Sequence, residues 1–179
     1  MGKKLVVSFP GARGCEIPLL YFGAKHYEDM GYEKRFIRYP ENREITLENV
    51  LNNALEMLRD IDWNEYEDVV FLAKSLGTVV SGMVKEKRNI PARLILFTPL
   101  EETLPYIRKE NAVLLTAMGD RDPYLEASRL RLLCEQEGIP CHIEPGVGHR
   151  MEVPNDLRRN LDIVFRVLQN LDGHHMECV

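Results

Sequence analysis

One pattern restricts the fold more than any other feature: short, apolar, β-branched runs recur along the chain with helix-periodic stretches between them. That alternation is the mark of βαβ units wrapped around a parallel sheet. Six runs qualify, at residues 5–9, 35–39, 68–74, 93–98, 112–118 and 141–144. The third, fourth and fifth contain VVFLA, LILF and VLLTAM, which are continuous rather than alternating. A strand that is apolar at every position must be covered on both faces, so these three belong at the centre of the sheet. Between the runs, Leu47, Val50, Leu51, Ala54, Leu55 and Leu58 recur at helical spacing, with Thr46 placed to cap them. A last helix repeats the pattern with Leu157, Leu161, Val164, Phe165, Leu168 and Leu171, and Asn155 after Pro154 is its expected N-cap. Each helix is expected to lay one apolar face on the sheet.

No internal repeat, low-complexity tract or linker interrupts residues 1–179, so a single α/β domain is expected. Its architecture is a three-layer αβα sandwich of about six mostly parallel strands. The segment 172–179 lacks periodicity and is expected to fray, which makes its His174, His175 and Cys178 a poor metal set. No metal site is assigned. Hydrophobic residues make up 45% of the 179 and charged residues 28%, enough to bury a core and solvate a surface. With 23 Lys+Arg against 28 Asp+Glu the net charge is −5, and the densest basic stretch is a mixed KEKR. Neither nucleic acid nor an acidic membrane is expected as a partner. The N-terminal apolar run ends at Pro10, too short for a signal core or a membrane span. Val6 and Met176 occupy positions where lipidation motifs need other residues. The cysteines Cys15, Cys134, Cys141 and Cys178 form no CxxC pair. A cytoplasmic location follows as the expectation.

In a sheet of this kind, function collects at the carboxyl ends of the strands. After the third run comes Ala73-Lys74-Ser75-Leu76-Gly77-Thr78, leading into helical sequence. A serine on a sharp strand-to-helix turn needs small residues two before and two after it, and Ala73 and Gly77 meet that demand. The alternative is a serine that only caps the helix. The fifth run ends in Gly119-Asp120-Arg121-Asp122-Pro123. A carboxylate here can orient a histidine from the next unit. Asp122 is preferred, doubling as an N-cap before proline at the first helical position, with Asp120 as the alternative. After the last run, Gly146-Val147-Gly148-His149 makes a compact loop that can lay an imidazole over the sheet edge. His142, inside a strand, and His26, in a helix, carry no such implication.

The first run feeds Pro10-Gly11-Ala12-Arg13-Gly14, a loop that can aim a backbone N–H at a developing oxyanion beside the N–H of Leu76. Ala12 is the favoured donor and Gly11 the alternative. The loop has neither the GK[ST] of a phosphate loop nor a GxGxxG spacing, so nucleotide binding finds no support and no cofactor is assigned.

Taken together, FPGARG, AKSLGT, GDRDP and GVGHRME resemble the α/β-hydrolase fold superfamily, in its small, lidless bacterial members, with dienelactone-hydrolase-like proteins as broader relatives. The serine, aspartate and histidine also follow one another in the chain order of that superfamily. The resemblance spans residues 5–171. It implies Ser75 as nucleophile, His149 as general base and then acid, Asp122 as its orienter, and an acyl-enzyme intermediate resolved by water. Three departures stand out: Ala73 replaces the first elbow glycine, Pro10-Gly11 replaces the usual HG, and Lys74 fills a position where neutral residues are more usual. Relative to the full fold, the two leading strands are missing, and between Thr98 and Asn111 there is room for only one short helix. A minimal core without a lid and an open, shallow site for a small acyl substrate are therefore expected. Arg13, Lys74 and Arg150 sit beside the three groups. They are either solvated surface charges, paired with Glu16 and Glu152, or a site that attracts anionic esters. Adjacent strand residues point to opposite sides, so Lys74 is not expected to serve as base to Ser75.

Overall fold

The computed structural model describes residues 2–12, 14–15, 17–39 and 45–172. Six strands, β1 (Lys3–Phe9), β2 (Glu33–Phe36), β3 (Tyr66–Lys74), β4 (Arg93–Phe97), β5 (Val113–Gly119) and β6 (Cys141–Glu144), form one sheet in the order β2-β1-β3-β4-β5-β6. Every neighbouring pair is parallel. The helices are α1 (Pro18–Asp29), α2 (Leu47–Met57), α3 (Leu76–Arg88), α4 (Ala127–Glu137) and α5 (Leu157–Leu168).

Strand residues alternate between two cores. Val69, Phe71 and Ala73 of β3 face α2, α3 and α4, where they meet Val50, Ala54, Val80 and Leu130. Val70 and Leu72 face the other way and pack with Leu20 and Ala24 of α1 and Ile163 and Val167 of α5. Both sets are fully or nearly fully buried, which is why the central runs show no hydrophobic alternation. The connection from β1 runs outward to β2, and the chain then returns to place β3 on the far side of β1. Such a reversal opens a crevice at the carboxyl ends of β1 and β3.

Thr46 caps α2 as expected, accepting from the amide of Asn49 at 3.2 Å. Four local expectations are corrected. β2 occupies Glu33–Phe36 rather than 35–39, because an edge strand of sequence EKRF takes its register from pairing with β1 (Leu5 opposite Glu33, Ser8 opposite Phe36) and not from its own apolarity. α5 is capped by Asp156, whose carboxylate accepts from the amide of Arg159 at 2.9 Å, while Asn155 takes a left-handed turn at φ 58°. The same helix docks through Ile163 and Val167 together with Val164, Leu168 and Leu171 of the expected apolar face; the other three, Leu157, Leu161 and Phe165, remain 73%, 57% and 68% exposed. Between Thr98 and Val113 two short 3₁₀ turns, Glu101–Tyr106 and Lys109–Asn111, replace the single helix. No lid domain occurs among the described residues, and no helix among them is long and apolar enough to cross a membrane.

Candidate active site

The nucleophile candidate lies where β3 turns into α3. Ser75 adopts φ 55° and ψ −127°, a strained conformation for a residue with a side chain. The strain is held from both sides: the Ser75 amide donates to the Phe97 carbonyl at 3.0 Å, and its carbonyl accepts from the Thr78 amide at 2.8 Å and the Thr78 hydroxyl at 2.6 Å. The need for a small residue at position 77 has a direct steric cause. A Cβ built on Gly77 would stand 2.1 Å from the Phe9 carbonyl oxygen, and one on Gly11 would stand 2.9 Å from the Ser75 Cβ. The end of β1 is thus pressed against the elbow, which brings the Gly11–Ala12 loop beside the serine. The Tyr39 hydroxyl donates to the Pro10 carbonyl at 2.5 Å and anchors that loop from β2's side.

At the other wall, the β5 and β6 loops are sewn together. The Asp120 amide donates to the Glu144 carbonyl at 3.0 Å and the Arg121 amide to the Val147 carbonyl at 3.0 Å, and the Asp120 carboxylate accepts from the Gly146 amide at 2.7 Å. Gly119 must lack a side chain because a Cβ there would lie 2.0 Å from the Val147 carbonyl. Asp120 is therefore spent on the loop and exposed, whereas Asp122 has a fully buried carboxylate 2.7 Å from His149 Nδ1. Its second oxygen accepts from the Tyr124 amide at 3.0 Å. Asp122 is not the helix N-cap expected from Asp-Pro, since α4 begins five residues later at Ala127. Its short-range partner is a turn amide and its long-range partner the histidine.

A carboxylate only accepts, so Nδ1 of His149 carries the proton and donates to Asp122. Nε2 is then an acceptor, and it stands 2.7 Å from Ser75 Oγ, which donates to it. Ser75, His149 and Asp122, drawn from the ends of three strands, thus form one continuous hydrogen-bonded line beside a cavity of about 620 Å³. Leu100 and Tyr124 line it too, and the Tyr124 ring stands edge-on to the imidazole at 4.6 Å between centroids. Nothing in the sequence marked Tyr124 except its place after Asp122-Pro123. Ala12 also lines the cavity, and Leu76 is the first residue of α3, whose amide has no intrahelical partner.

The three cations part company. Arg13 and its suggested partner Glu16 lie outside the described residues, as do His174, His175 and Cys178. Arg150 is exposed at the cavity rim. Lys74, by contrast, is only 7% exposed, and its ammonium donates to the Thr98 hydroxyl at 3.0 Å and the His149 carbonyl at 2.8 Å. It is a strut under the histidine loop rather than a solvated surface charge. Cys15 donates weakly to the Ile37 carbonyl at 3.4 Å, and burial pushes its thiol up to about 12, so it is no nucleophile at neutral pH. His142 pairs with Glu144 at 2.9 Å.

No family model and no curated protein matches the sequence. Solved structures do match. One is an alpha-beta serine hydrolase homologue from Coxiella burnetii, 17% identical, with a TM-score of 0.66 over 94% of this chain and 85% of that one. Another is alpha/beta hydrolase domain-containing protein 10 from mouse, 12% identical, with a TM-score of 0.67 over 97% and 90% of the two chains. At such identities the likeness speaks for topology alone, and there it agrees with the strand order and the sharp turn after β3: the chain has the α/β-hydrolase fold.

Proposed function

We propose that the protein is a serine hydrolase that cleaves a small ester or thioester through an acyl-enzyme. The observation that carries this reading is the line of two 2.7 Å hydrogen bonds joining Ser75, His149 and the buried Asp122. His149 Nε2 removes the Ser75 proton as Oγ bonds to the substrate carbonyl carbon, and Asp122 stabilises the resulting imidazolium. The carbonyl electron pair moves onto oxygen, where the backbone amides of Leu76 and Ala12 are suited to hold it. Collapse of that intermediate breaks the bond to the leaving group, which takes the proton from His149. A water molecule, deprotonated by His149, then releases the acyl group and restores Ser75. Lys74 supports this cycle indirectly by holding the carbonyl of the histidine, so an anionic substrate would draw on the exposed Arg150 rather than on Lys74.

Treatment with a fluorophosphonate probe tests the reading. Stoichiometric labelling at Ser75, abolished in Ser75→Ala and slowed at least a hundredfold in His149→Ala, is expected. Folded wild-type protein that resists the probe and cleaves none of a panel of short esters and thioesters sinks the proposal.

A further inference from the structure

We propose that the cleft between α1 and α5 binds an aliphatic arm of the substrate, making the protein selective for esters with a straight apolar chain. This rests on the hydrolase reading of Ser75 and adds a substrate class to it. The cleft is a second cavity of about 200 Å³ that shares Ile17, Lys74, Arg150 and Glu152 with the Ser75 cavity, so the two adjoin. Beyond those shared residues and Asn160 its walls are apolar: Leu19 and Phe22 from α1, Met151 from the histidine loop, and Leu157, Leu161 and Val164 from α5.

The polar groups near it are already engaged or sit at its mouth. Asn160, the one polar α5 side chain on its wall, accepts from the Val153 amide at 2.7 Å and donates to the Val153 carbonyl at 3.0 Å. Lys74 sends its ammonium away to Thr98 and the His149 carbonyl, so its methylene stem is what can line the passage between the cavities. Arg150 and Glu152 are exposed where the cavities join. Among the described residues, the walls of this groove are mostly apolar and suit an apolar chain. It also accounts for an otherwise costly surface. Phe22, Leu157 and Leu161 are 48%, 73% and 57% exposed, and a bound alkyl chain would remove part of that area from water.

The experiment has two arms, since the alkyl chain can belong to the acyl or to the alcohol side of the ester. In one, p-nitrophenyl esters run from acetyl to octanoyl; in the other, acetate esters run from ethyl to octyl. A groove closed on one side should raise kcat/KM roughly twofold per methylene, and so roughly sixtyfold across the six methylenes of one series. Leu161→Asp should cut that ratio to a few fold. Phe165→Asp, the same kind of change one turn along α5 and off the cavity wall, should preserve it. A second readout needs no turnover: 1-octanol should shift the amide resonances of Met151, Leu157 and Leu161 saturably in Ser75→Ala protein, and ethanol should not. Flat chain-length profiles in both arms with Ser75 still labelled by fluorophosphonate overturn the groove and leave the hydrolase standing. Saturable octanol binding without any labelling keeps the groove and removes the hydrolase. Absence of both chain-length dependence and octanol binding overturns the groove outright.

Discussion

Replacing Gly77 with alanine tests whether the pressure of β1 on the elbow sets the geometry of Ser75. The added Cβ would lie 2.1 Å from the Phe9 carbonyl oxygen and 2.6 Å from the Pro10 oxygen, at least roughly 1 Å inside ordinary van der Waals contact. Neither neighbour is a flexible side-chain tip. Phe9 is fully buried and paired in register with Ala73 of β3, so relief requires moving the backbone of β1 or of the elbow itself. Overpacking of this kind costs about 1–3 kcal/mol, and the rigidity of both partners argues for the upper half of that range. A displacement near 1 Å at a reacting group slows chemistry on the order of a hundredfold. Gly138→Ala is the matched control: Gly138 also has no side chain, but at φ 67° with nothing within 4 Å it exposes the mutant only to backbone strain, about 1 kcal/mol. Urea unfolding and the rate of fluorophosphonate labelling at Ser75 measure the two effects together. Gly77→Ala protein with the wild-type midpoint and labelling rate would refute the argument that close approach, rather than turn preference, demands glycine there.

Asp122→Asn should lower the labelling rate by about 10³–10⁴. The Tyr124 amide will keep the asparagine oxygen where it accepts now, turning the NH₂ toward His149 Nδ1 and forcing the ring proton onto Nε2, which can then no longer accept from Ser75; activity within tenfold of wild type contradicts this. Glu144 gives a stability prediction. Burial pushes its carboxyl up, but hydrogen bonds from Arg166 and His142 outweigh that and hold it below its ordinary value. Its contribution is therefore present above the ordinary carboxylate range and lost as pH falls through the lowered one. Arg166→Met should cost about 1–3 kcal/mol at pH 7 and less at pH 3; a loss equal at both pH values, read from urea midpoints, rules out the ion pair as the source. Finally, iodoacetamide at pH 7.5 should modify Cys15 in folded protein at least tenfold more slowly than in urea, because its thiol is pushed up to about 12 by burial; peptide mapping that finds equal rates disproves the shielding.

What the sequence discloses here depends on how locally each feature is determined. The central strands are legible because burial on both faces leaves an unbroken apolar run, and the elbow is legible because Ala73 and Gly77 answer to a steric demand four residues wide. The edge strand β2 is not, since only one residue of EKRF is apolar and its register comes from Leu5 to Ser8. α5 misleads in a different way: its apolar residues spread over more than one face, so helical spacing finds Val164, Leu168 and Leu171, which pack on the core, but does not separate them from the exposed Leu157, Leu161 and Phe165. Asp122 looks like a cap because Asp-Pro usually is one, while its decisive partner is 27 residues away. Lys74 looks like a surface charge because a lone lysine usually is. Its partners Thr98 and His149, 24 and 75 residues on, are visible only once three strand ends have converged.

The division of the site between the two sides of the sheet also orders its appearance during folding. Ser75, its elbow and the Gly11 loop are held by β1, β3 and α3, by Tyr39 beyond β2 and by one hydrogen bond from β4. Asp122 and His149 depend on the sewn loops of β5 and β6, later in the chain, with Lys74 of β3 bracing the histidine loop. The nucleophile is therefore expected to take shape before its base is in place, with reactivity appearing once the β5 and β6 loops have docked. Onset of probe labelling during refolding is accordingly a timer for completion of the sheet, trailing the signals that report on its first strands.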